Sequence, residues 1–202
     1  LFLHLYTSFR ASKPAVIMSF LQKIGLGIWG AIALGVLGYY VYAPEFFAPA
    51  NLAQLLRQAG AYALLSYGLV SAFRIFTLVP ATPLVIAGGL LFADSFWLAY
   101  VLSVSGALVS ATLVYYFAEF LGIAAWVRER NHPLTRRLQR QLSQPSGFWW
   151  MLLWSVLPIA PTDLMCYVAG AVRVSYFRFF LAALLGQLVI NWVYLQAGAA
   201  LR

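Results

Sequence analysis

The chain has 202 residues, 63% of them hydrophobic and only 9% charged, and its mean hydropathy is +0.85. A typical soluble domain carries about 25% charged residues, so this composition excludes a water-soluble globular enzyme; aromatic residues at 17% exclude intrinsic disorder. The net charge of +8, from 13 basic and 5 acidic residues, lies between apolar blocks, which points to membrane topology rather than to nucleic acid.

Residues 1–23 are mixed and carry Arg10, Lys13 and Lys23. Met18 is a plausible start, so residues 1–17 read either as an upstream extension or as part of the protein. Residues 24–43 contain no charge, and a run of about 20 such residues spans a hydrocarbon core. We expect an anchor helix there rather than a signal peptide, with Tyr39, Tyr40 and Tyr42 as an interfacial belt. Gly25, Gly27, Gly30, Gly35 and Gly38 are expected to let other helices approach closely.

A polar break with Pro44, Glu45 and Pro49 follows, and a membrane domain is expected over residues 51–200. Helical periodicity resumes at Asn51 and predicts one helix to about Val79, amphipathic at first through Gln54, Arg57 and Gln58. Pro80 and Pro83 then break it, and Gly88 and Gly89 loosen the chain again. The apolar piece from Pro83 to Phe92 is too short to cross a bilayer as a helix. Short apolar arms bent by proline and glycine predict a re-entrant hairpin, about residues 60–93, tolerated only where protein or water satisfies the backbone.

A spanning helix is expected from Ser95 to Gly122, with Ser103, Ala107 and Ala111 forming a small-residue face for close packing. Residues 123–147 make a polar loop holding Arg128, Arg130, Arg136, Arg137 and Arg140. The pattern then repeats: apolar Phe148–Leu157, a break at Pro158 and Pro161, a short arm to Gly170 and a spanning segment from Phe179 to Ala200. The second hairpin covers about residues 148–172. The expected fold is therefore all-α and polytopic, with two repeats, each a proline-broken re-entrant hairpin plus a transmembrane helix.

With the N-terminus in the cytoplasm, the basic loop, Arg173 and Arg178 all fall inside, which satisfies the positive-inside rule. The two hairpins then enter from opposite faces, making the repeats inverted in topology, as in many transport proteins.

Few residues can carry chemistry. Asp163 follows a proline break in an apolar stretch, where a charge costs roughly 2.5–3.5 kcal/mol on insertion scales. It reads either as a proton- or head-group-handling side chain or as the cap of the short helix that follows. Arg74 lies six residues before Pro80 and reads as a partner of Asp163, as a lipid-phosphate ligand or as a snorkelling side chain. Glu119, near the cytoplasmic end of its helix, and Asp94 read as interfacial carboxylates, Glu119 having a proton relay as its second reading. Gln187 and Asn191 share a helix face and either line a path or join helices.

Chemistry of other kinds lacks its residues. The single cysteine, Cys166, allows no intrachain disulfide. His4 and His132 lie outside the apolar blocks, leaving no histidine for an intramembrane protease and too few ligands for a metal site. No phosphate-cradling glycine loop is present. No enzyme activity, metal or cofactor is expected.

The segments LVPATPLVIAGGLLF at 78–92 and LPIAPTDLMCYVAGAVRVSYFRFFLAALLG at 157–186 resemble the DedA/VTT superfamily, also called the SNARE-associated Golgi protein domain, and its Tvp-like branch most. The likeness covers roughly residues 55–200 and is carried best by Pro158, Pro161, Asp163, Tyr167, Gly170, Phe177 and Gly186. It implies two facing re-entrant hairpins and no enzymatic activity, and relatives are similar to lipid scramblases or polyprenyl-phosphate carriers. Three positions depart from the family pattern: Ser155 and Glu119 stand where arginine is usual, and Ala93 where glycine is.

The expected function is movement of lipids or lipid-linked anions between leaflets, with membrane lipids, including anionic or polyprenyl-phosphate lipids, as partners. The expected location is a bacterial plasma membrane. A proton-coupled solute transporter using Asp163 and a non-transporting scaffold are the alternatives.

Overall fold

The computed structural model describes residues 20–77, 81–92, 94–120, 133–157 and 162–200. Pro80, Ala93, Pro158 and Pro161 therefore lie outside the described residues, as do Arg128 and Arg130. Every regular element described is helical.

Helix α1 (Phe20–Tyr42) contains most of the expected anchor. A 3₁₀ turn (Pro44–Phe47), α2 (Pro49–Arg57) and a second 3₁₀ turn (Gly60–Tyr62) lead into α3 (Ala63–Phe73). The single helix expected from Asn51 to Val79 is thus divided. The division falls at Gly60, whose φ of 56° is left-handed and open to glycine without a Cβ penalty. A third 3₁₀ turn (Arg74–Thr77) ends this arm, and α4 (Ala81–Leu91) carries Pro83 in its first turn, where a missing N–H costs little. Next come α5 (Phe96–Phe120), α6 (Pro133–Ser143), α7 (Pro145–Val156), α8 (Thr162–Ala171) and α9 (Tyr176–Ala200). The expected loop at 123–147 is therefore not a loop throughout: α6 and the start of α7 occupy its second half.

Among the described residues, α5 and α9 are long and apolar enough to cross a membrane; at 1.5 Å per residue each is about 37 Å long. The apolar stretch of α1, Gly27–Tyr42, is shorter. Helices α3, α4, α7 and α8 reach only about 15–18 Å each, roughly half of a 30 Å hydrocarbon core.

Side-chain contacts fix how these pieces run. The Phe96 ring meets Trp192 at 4.8 Å, the Tyr100 hydroxyl donates to the Leu188 carbonyl at 2.8 Å, and Thr112 pairs with the Tyr176 hydroxyl at 3.0 Å. Partner numbers fall on α9 as they rise on α5, so the two long helices are antiparallel. Tyr67 bonds Ser103 and Ser71 packs on Gly106, so α3 runs beside the first half of α5 in the same direction. Arg178 donates to the Ser143 carbonyl and Ser155 packs on Gly186, so α7 runs beside the first half of α9 likewise. The inner helices cross over: α4 lies against α9, and α8 against α5.

The glycines serve a purpose other than the one expected. Gly88, Gly89 and Gly170 do not loosen the chain; they lie inside α4 and α8, where neighbouring residues pack closely on them. A methyl group at Gly88 would strike the Tyr67 hydroxyl, and one at Gly170 the Tyr115 carbonyl oxygen. The left-handed residue that ends α8 is Arg173, φ 54°. There the amide of Val174 bonds the Ala169 carbonyl and that of Arg173 bonds Gly170, the Schellman pattern. Conversely, a methyl group at Gly27, Gly30, Gly35 or Gly38 of α1 would have nothing within 4 Å, so the close approach expected for them is absent among the described residues. Ser103, Ala107 and Ala111 are all buried, as their small-residue spacing predicts.

Candidate functional site

The body is apolar, so its few polar side chains stand out by position. Arg74 begins the 3₁₀ turn after α3 and Asp163 lies in the first turn of α8. These two residues, one from each half of the chain, meet inside the molecule. The guanidinium donates to one carboxylate oxygen at 2.9 Å and to the other at 3.4 Å, a two-point grip suited to its planar fork. The side chains are only 5% and 17% exposed. The cost of a charge in an apolar setting explains the pairing, because each ion satisfies the other. Asp163 also sits at a helix start, where a carboxylate is stabilised. Because α8 already begins at Thr162, Asp163 lies inside the first turn rather than at the cap position expected for it, and its recorded partner is Arg74.

Beside the pair lie half-buried aromatic side chains. Phe76, two residues after Arg74, meets Phe117 edge-on at 4.9 Å. Trp29 of α1 lies 5.7 Å from Tyr167, one turn after Asp163, and 6.3 Å from Phe117. Helix α1 therefore covers this side of the site, a role that its glycine content does not reveal. Cys166, on the same turn as Tyr167, is buried and bonds the Thr162 carbonyl through sulfur at 3.3 Å.

Arg74 is also the charged end of an apolar groove of about 340 Å³ lined by Phe46, Leu55, Val70, Phe73 and Leu84, among others. Arg57 of α2, the helix that supplies Leu55 to this groove, reaches across to the Leu90 carbonyl at the end of α4, 2.7 Å away. This satisfies one of the orphan carbonyls of that helix end and holds α2 over the first hairpin. Neither the groove nor this clasp follows from the sequence pattern; the amphipathic spacing of Gln54, Arg57 and Gln58 is the one signal that points toward it.

A second polar run lines the contact of α3 with α5. The Ser103 hydroxyl donates to the Ala99 carbonyl at 2.7 Å. Its one proton is thereby used, so the Tyr67 hydroxyl is the donor in their 2.7 Å bond. Ser71 and Ser110 have buried hydroxyl oxygens without a hydrogen-bond partner.

The other expected residues lie elsewhere. Asn191 is buried and donates to the carbonyl and the side-chain oxygen of Gln187 on its own helix. Its Oδ1 has no partner, so the two residues pair within α9 rather than joining helices through these bonds. Glu119 is in the last turn of α5, with its side chain outside those described. Asp94 is exposed at the turn before α5. Ser155, where an arginine is usual in the resembled family, is buried against Gly186 and bonds Met151. A long side chain has no room there. Among the described residues no three His, Cys, Asp or Glu side chains gather in a way that could hold a metal ion.

Comparison with family models places the VTT domain over residues 79–200. That span includes Asp163, both long helices and all the glycine contacts between α4, α5, α8 and α9, while α1 and Arg74 precede it. Curated proteins and solved structures return no match.

Proposed function

The chain belongs to the VTT-domain family, that of the DedA and SNARE-associated Golgi proteins, and we propose that it moves lipids or lipid-linked anions between the leaflets of a membrane. It is an integral membrane protein, with α5 and α9 able to cross the bilayer. In this reading α3–α4 and α7–α8 are re-entrant hairpins. Four helices of half-membrane length support it, as do first arms that start beside the start of α5 or α9. Because α5 and α9 are antiparallel, the hairpins enter from opposite faces and the two halves form an inverted repeat. The N-terminus is cytoplasmic and the membrane is a bacterial plasma membrane.

The observation that carries the functional reading is the Arg74–Asp163 pair, joining the two hairpins at the end of an apolar groove. A lipid phosphate competes with Asp163 for the guanidinium, since both present paired oxygens to its planar fork. The acyl chain lies along the groove and in surrounding lipid, so only the head group needs a polar route. No covalent step is involved.

The test uses protein reconstituted into vesicles with a trace of lipid carrying a fluorophore on its head group. If the protein exchanges lipid, dithionite bleaches the inner-leaflet fraction as well as the outer. Arg74→Gln, which removes the guanidinium that the head group engages, slows that phase. Bleaching confined to the outer leaflet rules the reading out. Gradient-driven solute uptake lost in Asp163→Asn would assign the protein to the proton-coupled alternative instead, and neither activity would make it a scaffold.

A further inference from the structure

Helix α6 is unlike every other described helix. Its sequence, PLTRRLQRQLS, spaces three leucines four apart and sets Arg136 and Arg140 opposite them, with Arg137 at the border of the two faces and no acidic residue. It has the character of an amphipathic segment, not of a spanning one. Leu138 is 44% exposed, and Arg136, Arg137 and Arg140 are all exposed. Leu138 and the arginines thus face outward, while Leu142 packs on the core.

The fold fixes where this helix sits. Its carboxyl end is held by the Arg178 guanidinium on the Ser143 carbonyl at 2.8 Å. Gly147 packs so tightly under Leu142 that a methyl group there would strike the Leu142 carbonyl. The corner ties α6 to the first turns of α7 and α9, beside the exposed indoles of Trp149 and Trp150. Exposed tryptophans at the end of an apolar helix mark the head-group level of a bilayer. An open leucine and a row of arginines at that level match the chemistry of one surface, acyl chains below and phosphates above.

We propose that α6 is an interfacial helix that docks on anionic lipid of the leaflet from which α7 and α9 enter. Leu138 dips into the acyl layer, and Arg137 and Arg140 hold lipid phosphates. The inference rests on the membrane placement of the chain and is independent of whether lipid is moved. Each arginine at an anionic surface changes the docking equilibrium roughly fivefold, and loss of two changes it roughly 25-fold.

The experiment places a fluorophore on Leu138→Cys in the full chain carrying Cys166→Ser. The protein is held in nanodiscs of phosphatidylcholine alone or with phosphatidylglycerol. With phosphatidylglycerol, emission shifts to the blue and lipid-borne nitroxide quenches it; high salt and the pair R137Q/R140Q reverse both effects. A control fluorophore at Val193→Cys, on the exposed face of α9, reports lipid contact in every sample and shows that the variants are folded and inserted. Equal emission and quenching in the two lipid compositions, or dependence on phosphatidylglycerol that survives R137Q/R140Q, overturns the proposal. Emission from water in both compositions also overturns it, and would assign α6 to a soluble partner.

Discussion

Replacing Asp163 with alanine is expected to destabilise the protein by about 3–5 kcal/mol, the range for breaking a buried ion pair from one side. The cause is the arginine left behind. Arg74 is 5% exposed on its side chain, and truncating Asp163 leaves a guanidinium in an apolar interior. Arg74→Ala leaves a carboxylate instead, in the first turn of α8, where the positive helix end offsets part of its cost. Arg74→Ala is therefore the milder of the two single changes. Exchange of the pair, Arg74→Asp with Asp163→Arg, restores opposite charges across the hairpins and recovers part of the loss, short of wild type because arginine at a helix start is unfavourable. Thermal unfolding of the four proteins in one detergent measures the coupling. An exchanged variant as unstable as the sum of both singles would show that the two side chains do not depend on each other.

Glycine substitutions are expected to divide sharply by location. Gly170→Ala sets a methyl group against the Tyr115 carbonyl oxygen, with the Ala118 side chain close behind. A backbone atom cannot turn aside as a side chain can, so α8 must back away from α5. Overpacking of this kind costs about 1–3 kcal/mol, occasionally more. It also shifts Asp163, which rides on the same ten-residue helix. Gly35→Ala on α1 meets nothing within 4 Å and is expected to be neutral or to stabilise by up to about 1 kcal/mol, the ordinary helix gain from glycine to alanine. Unfolding midpoints of the two variants, measured side by side, decide the matter. Equal effects would mean that α8 does not pack on α5 as described.

Much of this is legible in the sequence, and for physical reasons. Arg74 and Asp163 are costly in apolar stretches, and that cost alone demands a partner; each is the other's nearest remedy. Apolar arms of ten residues between prolines are too short to cross, so separate short helices follow at α4 and α8. The roles of the glycines are not legible, because the reason for a glycine is the atom facing it. Gly88 faces Tyr67 and Gly186 faces Ser155, contacts that spacing along the chain does not contain. The break at Gly60 is hidden by apolar periodicity on both sides of it. Helix α6 reads as loop because its charge density masks a regular leucine spacing. Ser155 shows the opposite case: the missing arginine is visible in the sequence, but the reason for its absence, close packing on Gly186, needs the fold.

The proposal that two half-depth hairpins enter from opposite faces and meet at the ion pair is tested most directly by side-specific labelling. In the Cys166→Ser background, single cysteines replace Tyr62 and Asp94 at the two ends of the first hairpin, and Gln144 and Ser175 at the two ends of the second; all four positions are exposed. In sealed vesicles of one orientation, an impermeant maleimide is predicted to modify positions 62 and 94 from one side and positions 144 and 175 only from the other. Labelling of 62 and 94 from opposite sides would contradict the account, because the first hairpin would then cross the membrane.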